Sequence, residues 1–138
     1  MGSRVVSVRL KDEDAGKLDR LARQMQRTPS ATAALLLNEK LREEEFPEVE
    51  FRPSVIGRQA YVKGTRVQVW MLLMIARSYD MDVQKVARHL GWPERQVQAA
   101  LAYARAFPEE IDPIVDEVER MTADEFVRRY PGTRVVQV

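Results

Sequence analysis

Apolar and polar residues alternate at the start of the chain with the period of an extended strand. The face expected to be buried carries Val6, Val8 and Leu10, and the opposite face carries Val5, Ser7 and Arg9. This alternation predicts a short β-strand over residues 5–10. A lone strand leaves its backbone donors and acceptors unpaired, so the strand is expected to pair with another.

The pattern then changes to the three-to-four residue spacing of amphipathic helices. Three acidic residues at positions 12–14 favour the positive end of a helix dipole, which predicts that a first helix begins there. Its apolar positions are Leu18, Leu21, Ala22 and Met25. Thr28-Pro29 then provides an N-cap and a preformed first residue for a second helix. The apolar positions of that helix are Ala34, Leu35, Leu37, Leu41 and Phe46.

One strand and two helices in under ~50 residues cannot bury a core alone, so residues 1–46 are predicted to form a homodimer through the strand. This segment resembles the ribbon-helix-helix family of bacterial repressors and antitoxins over residues 4–45. The resemblance rests on Val6-Ser7-Val8-Arg9-Leu10, followed by Leu18, Leu21, Ala22 and Thr28-Pro29-Ser30. It implies that two strands form an antiparallel ribbon in the major groove of double-stranded operator DNA.

The same resemblance assigns DNA contacts to particular side chains. The outward residues Val5, Ser7 and Arg9 would contact bases, and Arg9 can donate two parallel hydrogen bonds to guanine. The Thr28 hydroxyl and the amides near Ser30 would bind phosphate, and Arg4 adds basic charge. The alternative is that Thr28 is only a helix cap and Arg9 only an exposed strand charge.

A second domain is predicted over residues 54–115, after a linker at 47–53 that is bracketed by two prolines. Glycines and apolar residues in 55–67 indicate a small hairpin, and three helices follow, the last starting at Pro93. Ala87, Gly91 and Val97 have the spacing of a helix-turn-helix, which would direct Arg95 and Gln98 toward a major groove. A helical packing module without DNA contact remains the alternative.

The second domain also resembles a family of bacterial proteins, the domain-of-unknown-function family four-three-three, usually described as VapB-like antitoxins. The match spans roughly residues 53–115. Its most specific parts are Gly64-Thr65-Arg66-Val67 and Pro108-Glu109-Glu110-Ile111-Asp112. Members are typically encoded beside a toxin with a PIN-like ribonuclease fold, so the resemblance implies such a toxin as a partner.

The C-terminal tail, residues 116–138, is predicted to be a final amphipathic helix followed by a strand over 134–138. Three arginines lie in the last thirteen residues of this tail: Arg128, Arg129 and Arg134. An apolar strand and three guanidinium groups can add to the sheet edge of a partner and neutralise an acidic nuclease site, so these arginines are candidate toxin contacts.

Composition narrows the classes of function. The net charge of +1 conceals alternating blocks, from +3 over residues 1–38 to −7 over 106–125, which suggests separate faces for separate partners. With no cysteine and a single histidine, His89, no thiolate or histidine metal site and no cofactor are expected. No long apolar span or secretion signal is visible, so a cytoplasmic protein is expected.

The sequence therefore predicts a mainly α protein: a ribbon-helix-helix unit followed by a helix-turn-helix-like three-helix domain with a short hairpin. We do not expect this protein to be an enzyme, because no nucleophile–base pair or carboxylate dyad is apparent in the sequence. The preferred function is a DNA-binding antitoxin that represses its own operon and neutralises a PIN-like ribonuclease. The alternatives are a regulator without a toxin and a dimeric adaptor that does not bind DNA.

Overall fold

The computed structural model describes residues 2–132. In this range the protein is mainly helical with one antiparallel hairpin, which confirms the predicted class at that level. The helices are α1 (Asp12–Gln24), α2 (Pro29–Glu45), α3 (Val69–Ser78), α4 (Val83–Leu90), α5 (Glu94–Ala106), α6 (Pro108–Glu119) and α7 (Ala123–Arg129). The strands are β1 (Val49–Ser54) and β2 (Gly57–Val62). The chain divides into two compact units, Met1–Arg42 and Glu43–Val138, whose boundary falls inside α2.

The N-terminal unit begins differently from the prediction. Residues 2–11 form no regular secondary structure, so the strand expected over residues 5–10 is not present within the single chain. A strand needs a hydrogen-bonded neighbour, and within residues 2–132 both strands of the one sheet lie in the other unit. Both helices start as predicted: α1 has the acidic residues in its first turn, and the N–H of Ala31 donates to Oγ1 of Thr28 at 3.1 Å.

The hairpin lies further toward the N-terminus than the sequence indicated. Residues 47–53 were expected to be a linker, but β1 occupies most of them and pairs with β2 from Val49↔Val62 to Ser54↔Gly57. Both strands of a two-stranded sheet are edges, where a proline such as Pro53 is tolerated. Val49 and Val62 are buried, so the packing of this strand against the core outweighs the local signal of the flanking prolines.

The C-terminal unit has its own hydrophobic core. Its largest fully buried side chains come from β1, β2, α3, α5 and α6: Trp70, Tyr103, Leu72, Ile111, Val49 and Val62. Helix α3 packs against α5 and α6, and α4 packs against α5. The final amphipathic stretch was expected to be one helix but forms α6 and α7. The break occurs because Thr122 caps α7 reciprocally with Glu125.

Candidate functional site

The first candidate site is the N-terminal segment, whose two faces have different environments. Alternate residues, Val6, Val8 and Leu10, line an apolar groove together with Leu18 of α1 and with Ala33 and Leu37 of α2. Val5, Ser7 and Arg9 lie outside this groove. The alternation predicted from the sequence is therefore present in the side-chain positions, although the backbone has no strand partner.

The groove leaves much apolar surface exposed to solvent. Val6 is 64% exposed and Val8 71% exposed, and Leu37 and Leu41 of α2 are also exposed. Within the described part of this unit, Ala22 is the single buried apolar residue. Clustered exposed apolar surface of this kind is typical of interaction sites.

The predicted DNA-contacting residues of this unit divide into two groups. Val5, Ser7 and Arg9 are exposed and lie outside the groove. Arg4 lines the groove together with Val6, Val8 and Leu10, because every second side chain of an extended segment lies on the same face. Ser30 also lines the groove, whereas the exposed Thr28 lies outside it and accepts a hydrogen bond from the N–H of Ala31.

The second candidate site is the corner between α4 and α5. Asp82 caps α4 by accepting a hydrogen bond from the N–H of Lys85, and Gly91 ends the helix with a φ of 70°. A left-handed residue of this kind favours glycine, which explains the turn. Ala87 and Val97 are buried as predicted.

Arg95 and Gln98, the two predicted base-reading residues at this corner, are exposed one helical turn apart on α5. A polar hollow at the same corner is lined by Gln84 and Arg88 of α4 and by Trp92 and Glu94. Sequence reasoning did not select Gln84 or Arg88. Their i, i+4 spacing on the exposed side of α4 was the signal that could have identified them.

The two most specific pieces of the second resemblance have structural roles. Gly64 has a φ of 78°, and Oγ1 of Thr65 donates to the Val62 carbonyl at 2.8 Å and accepts from the N–H of Val67 at 3.0 Å. Near the other end, the Glu110 carboxylate accepts from the Tyr103 hydroxyl at 2.9 Å. These contacts hold a loop and a helix start in place.

A polar network that the sequence did not reveal connects the hairpin to α3. The Arg52 guanidinium lies 3.9 Å from the Tyr61 ring centroid and donates to the Thr65 carbonyl. Nε2 of the buried Gln68 donates to the Tyr61 hydroxyl, and Nε1 of Trp70 donates to Oε1 of Gln68 at 2.6 Å. The network fixes the loop before α3 and keeps the buried Gln68 satisfied.

The predicted toxin contacts lie in different environments. Arg128 and Arg129 are both exposed, and Arg129 also forms an ion pair with Glu117 of α6. Arg134 and the strand predicted over residues 134–138 lie outside the described residues. Tyr130 is buried with its ring centroid 5.3 Å from that of Trp70, and burial raises its pKa, so this end of α7 is part of the core.

Metal and membrane sites are not evident in residues 2–132. No group of three histidine or acidic residues there is arranged to hold a metal ion, and no helix there is long and apolar enough to cross a membrane. His89 is exposed near the end of α4, and its Nδ1 lies 2.9 Å from the Tyr79 hydroxyl.

Taken by itself, the C-terminal unit is a small helical domain with an N-terminal hairpin. Residues 49–104, which run from β1 through most of α5, match the family described as "Protein of unknown function (DUF433)". Neither the curated proteins nor the solved structures include a match to this chain. The family match covers the loop held by Thr65 and the corner at Gly91, and it carries no assigned activity.

Proposed function

We propose that this protein is a dimeric DNA-binding antitoxin that represses its own operon and neutralises a PIN-like ribonuclease. The observation that carries the DNA-binding half is the separation of faces in the N-terminal segment. Val6, Val8 and Leu10 border an exposed apolar groove, and Val5, Ser7 and Arg9 lie outside it.

A second copy of the chain supplies the strand partner and the apolar contacts that the N-terminal unit lacks. If two N-terminal segments pair antiparallel, each provides hydrogen-bond partners for the backbone of the other, and the apolar surfaces of both cover one another. The odd-numbered side chains of the two copies then lie together on the free face of a ribbon. A two-stranded ribbon fits the major groove, where arginine and serine can distinguish base edges.

The antitoxin half of the proposal rests on the C-terminal unit. This unit has its own hydrophobic core, and in our proposal it forms the toxin-binding surface. Its support is the resemblance of residues 53–115 to VapB-like antitoxins. The DUF433 match over residues 49–104 is to a family of unknown function and adds no activity to that resemblance. Inhibition needs no bond chemistry, because covering the acidic site of a nuclease is sufficient.

Replacing Arg9 by alanine tests the DNA-binding half. We expect native protein to bind a duplex from upstream of its own gene with steep salt dependence, measured by fluorescence anisotropy. Arg9→Ala should lose about 1–3 kcal/mol of binding free energy together with its sequence preference, because a bidentate contact to guanine is lost.

The matched control is Arg20→Ala, which removes an exposed arginine from α1 instead. It should keep the preference for the operator over an unrelated duplex. Equal binding by native protein and Arg9→Ala would refute base contact by the segment and direct attention to Arg95 and Gln98. Absence of salt-sensitive binding by native protein would favour the adaptor alternative.

Arg128→Glu tests the toxin half. Removing the chain after Glu125 is a poor test, because it deletes Phe126 and Tyr130, which pack against the core. Arg128 is exposed, so its charge can be reversed without disturbing that packing. We expect the co-expressed neighbouring nuclease to copurify with native protein and to be inhibited at least about tenfold less tightly by Arg128→Glu.

Lys85→Glu, which reverses an exposed charge on α4, is the control and should inhibit as native protein does. Unchanged inhibition of the nuclease by Arg128→Glu would show that Arg128 does not contribute to toxin binding. If no nuclease copurifies and operator binding is intact, the stand-alone regulator is the better description of this protein.

A further inference from the structure

A second groove, which shares no lining residue with the candidate DNA and toxin contacts, lies in the C-terminal unit between α3, α5 and α6. It has a volume of about 320 Å³, at the lower end of the ~300–1,000 Å³ typical of small-molecule sites. Its floor is formed by Leu73, Leu101 and Ala104, all of which are buried. The floor can therefore accept an apolar group but offers no side-chain hydrogen bond.

Charged side chains of both signs border this apolar floor. Arg77 and Arg105 contribute guanidinium groups, and Asp112 contributes a carboxylate. In residues 2–132, Arg105 and Asp112 form no ion pair with each other or with another side chain, although they line the same groove. Arg77 has a 3.4 Å contact with Glu119, at a site where both side chains remain about half exposed. A ligand can therefore meet a positive and a negative group here without first breaking a bond between them.

Met81 adds an unusual feature to the same groove. Asp80 and Met81 have φ values of 54° and 61°, a left-handed conformation that is costly for residues other than glycine. A 2.7 Å hydrogen bond from the Met81 N–H to the Ala76 carbonyl holds this turn. The result is that Met81 lines the groove while the residue is 47% exposed. An adaptable thioether held in this position can cover an apolar ligand.

From these features we propose that the groove binds a free α-amino acid with an apolar side chain, such as leucine or phenylalanine. The ligand carboxylate pairs with Arg105, assisted by Arg77, and its ammonium pairs with Asp112. Its side chain lies on the floor formed by Leu73, Leu101 and Ala104, beneath Met81. A monocarboxylate alone matches the site less well, because Asp112 would repel it.

The test is a titration of full-length protein with L-leucine and L-phenylalanine, followed by calorimetry and by NMR of labelled backbone amides. We expect shifts to concentrate in α3, α5 and the start of α6. Isocaproate lacks the ammonium and isoamylamine lacks the carboxylate, and each should bind at least about tenfold more weakly than leucine. Arg105→Gln and Asp112→Asn should each weaken leucine binding by a similar factor.

The controls remove like charges outside the groove: Arg66→Gln in the loop before α3 and Glu109→Gln at the start of α6. Both should bind leucine as native protein does, and thermal melting checks that all four variants are folded. Isocaproate binding as tightly as leucine, shifts that map elsewhere, or no binding of either amino acid would each overturn the proposal. Because operator binding is measured separately, such a result leaves the proposed DNA-binding function untouched.

Discussion

Replacing Val8 by aspartate is expected to dissociate the dimer on which our proposed function depends. Val8 is 71% exposed in the single chain, so the substitution removes little packing within it. In the proposed dimer the same side chain is covered by the second copy, and an unpaired carboxylate buried there costs several kcal/mol. We expect the dimer dissociation constant, measured by sedimentation equilibrium, to rise at least about 100-fold, since each 1.4 kcal/mol is a factor of ten.

Val5→Asp is the matched control because it places the same charge on the other face of the segment. Val5 is 91% exposed and lies outside the groove. This variant should remain dimeric but bind operator DNA less tightly, because an added carboxylate repels phosphate. If Val8→Asp stays dimeric at the concentrations where native protein does, the segment is not the dimer interface.

Replacing Trp70 by alanine is expected to destabilise the C-terminal unit by about 3–5 kcal/mol, the usual cost of removing a large buried aromatic ring. Trp70 is 1% exposed and packs against the Tyr130 ring. Its loss also leaves Oε1 of the buried Gln68 without the indole donor. Urea unfolding followed by circular dichroism should show a midpoint at lower urea for this unit, and Trp92, the other tryptophan, reports on it by fluorescence.

Two further variants separate the causes of the lost stability in Trp70→Ala. Trp70→Phe retains an aromatic ring but not the N–H, so it should fall between native protein and Trp70→Ala. Val55→Ala, at an exposed position in the hairpin turn, should lie within about 0.5 kcal/mol of native protein. A Trp70→Ala variant as stable as native protein would mean that the core tolerates the cavity or closes around it.

Local signals predicted several features of the structure correctly. Thr28-Pro29 marked the start of α2, and the acidic cluster marked the start of α1, because capping and helix-dipole effects act within a single turn. Gly91 marked the turn between α4 and α5 for a similar reason, since glycine adopts a left-handed φ without the steric cost that a side chain adds.

Other features could not be predicted because they depend on residues distant in sequence. The sequence predicted a linker where the structure has β1. This strand forms because Val49 is buried in a core that includes α5 and α6, which lie far along the chain. The pairing of Arg129 with Glu117 joins two helices across a break, and no pattern in either helix indicates it. The groove between Arg105 and Asp112 likewise exists only because α3, α5 and α6 pack together.

The sequence by itself determined where α1, α2 and α5 begin and which face of these helices is apolar, because these features follow from interactions between residues a few positions apart. It also determined the two faces of the N-terminal segment, since side-chain alternation is a property of any extended chain. Only the tertiary structure decided which charges are paired, which apolar faces are covered and where grooves remain. Those outcomes depend on close packing between distant segments. Whether a face is covered decides whether its residues belong to the core or are available for binding.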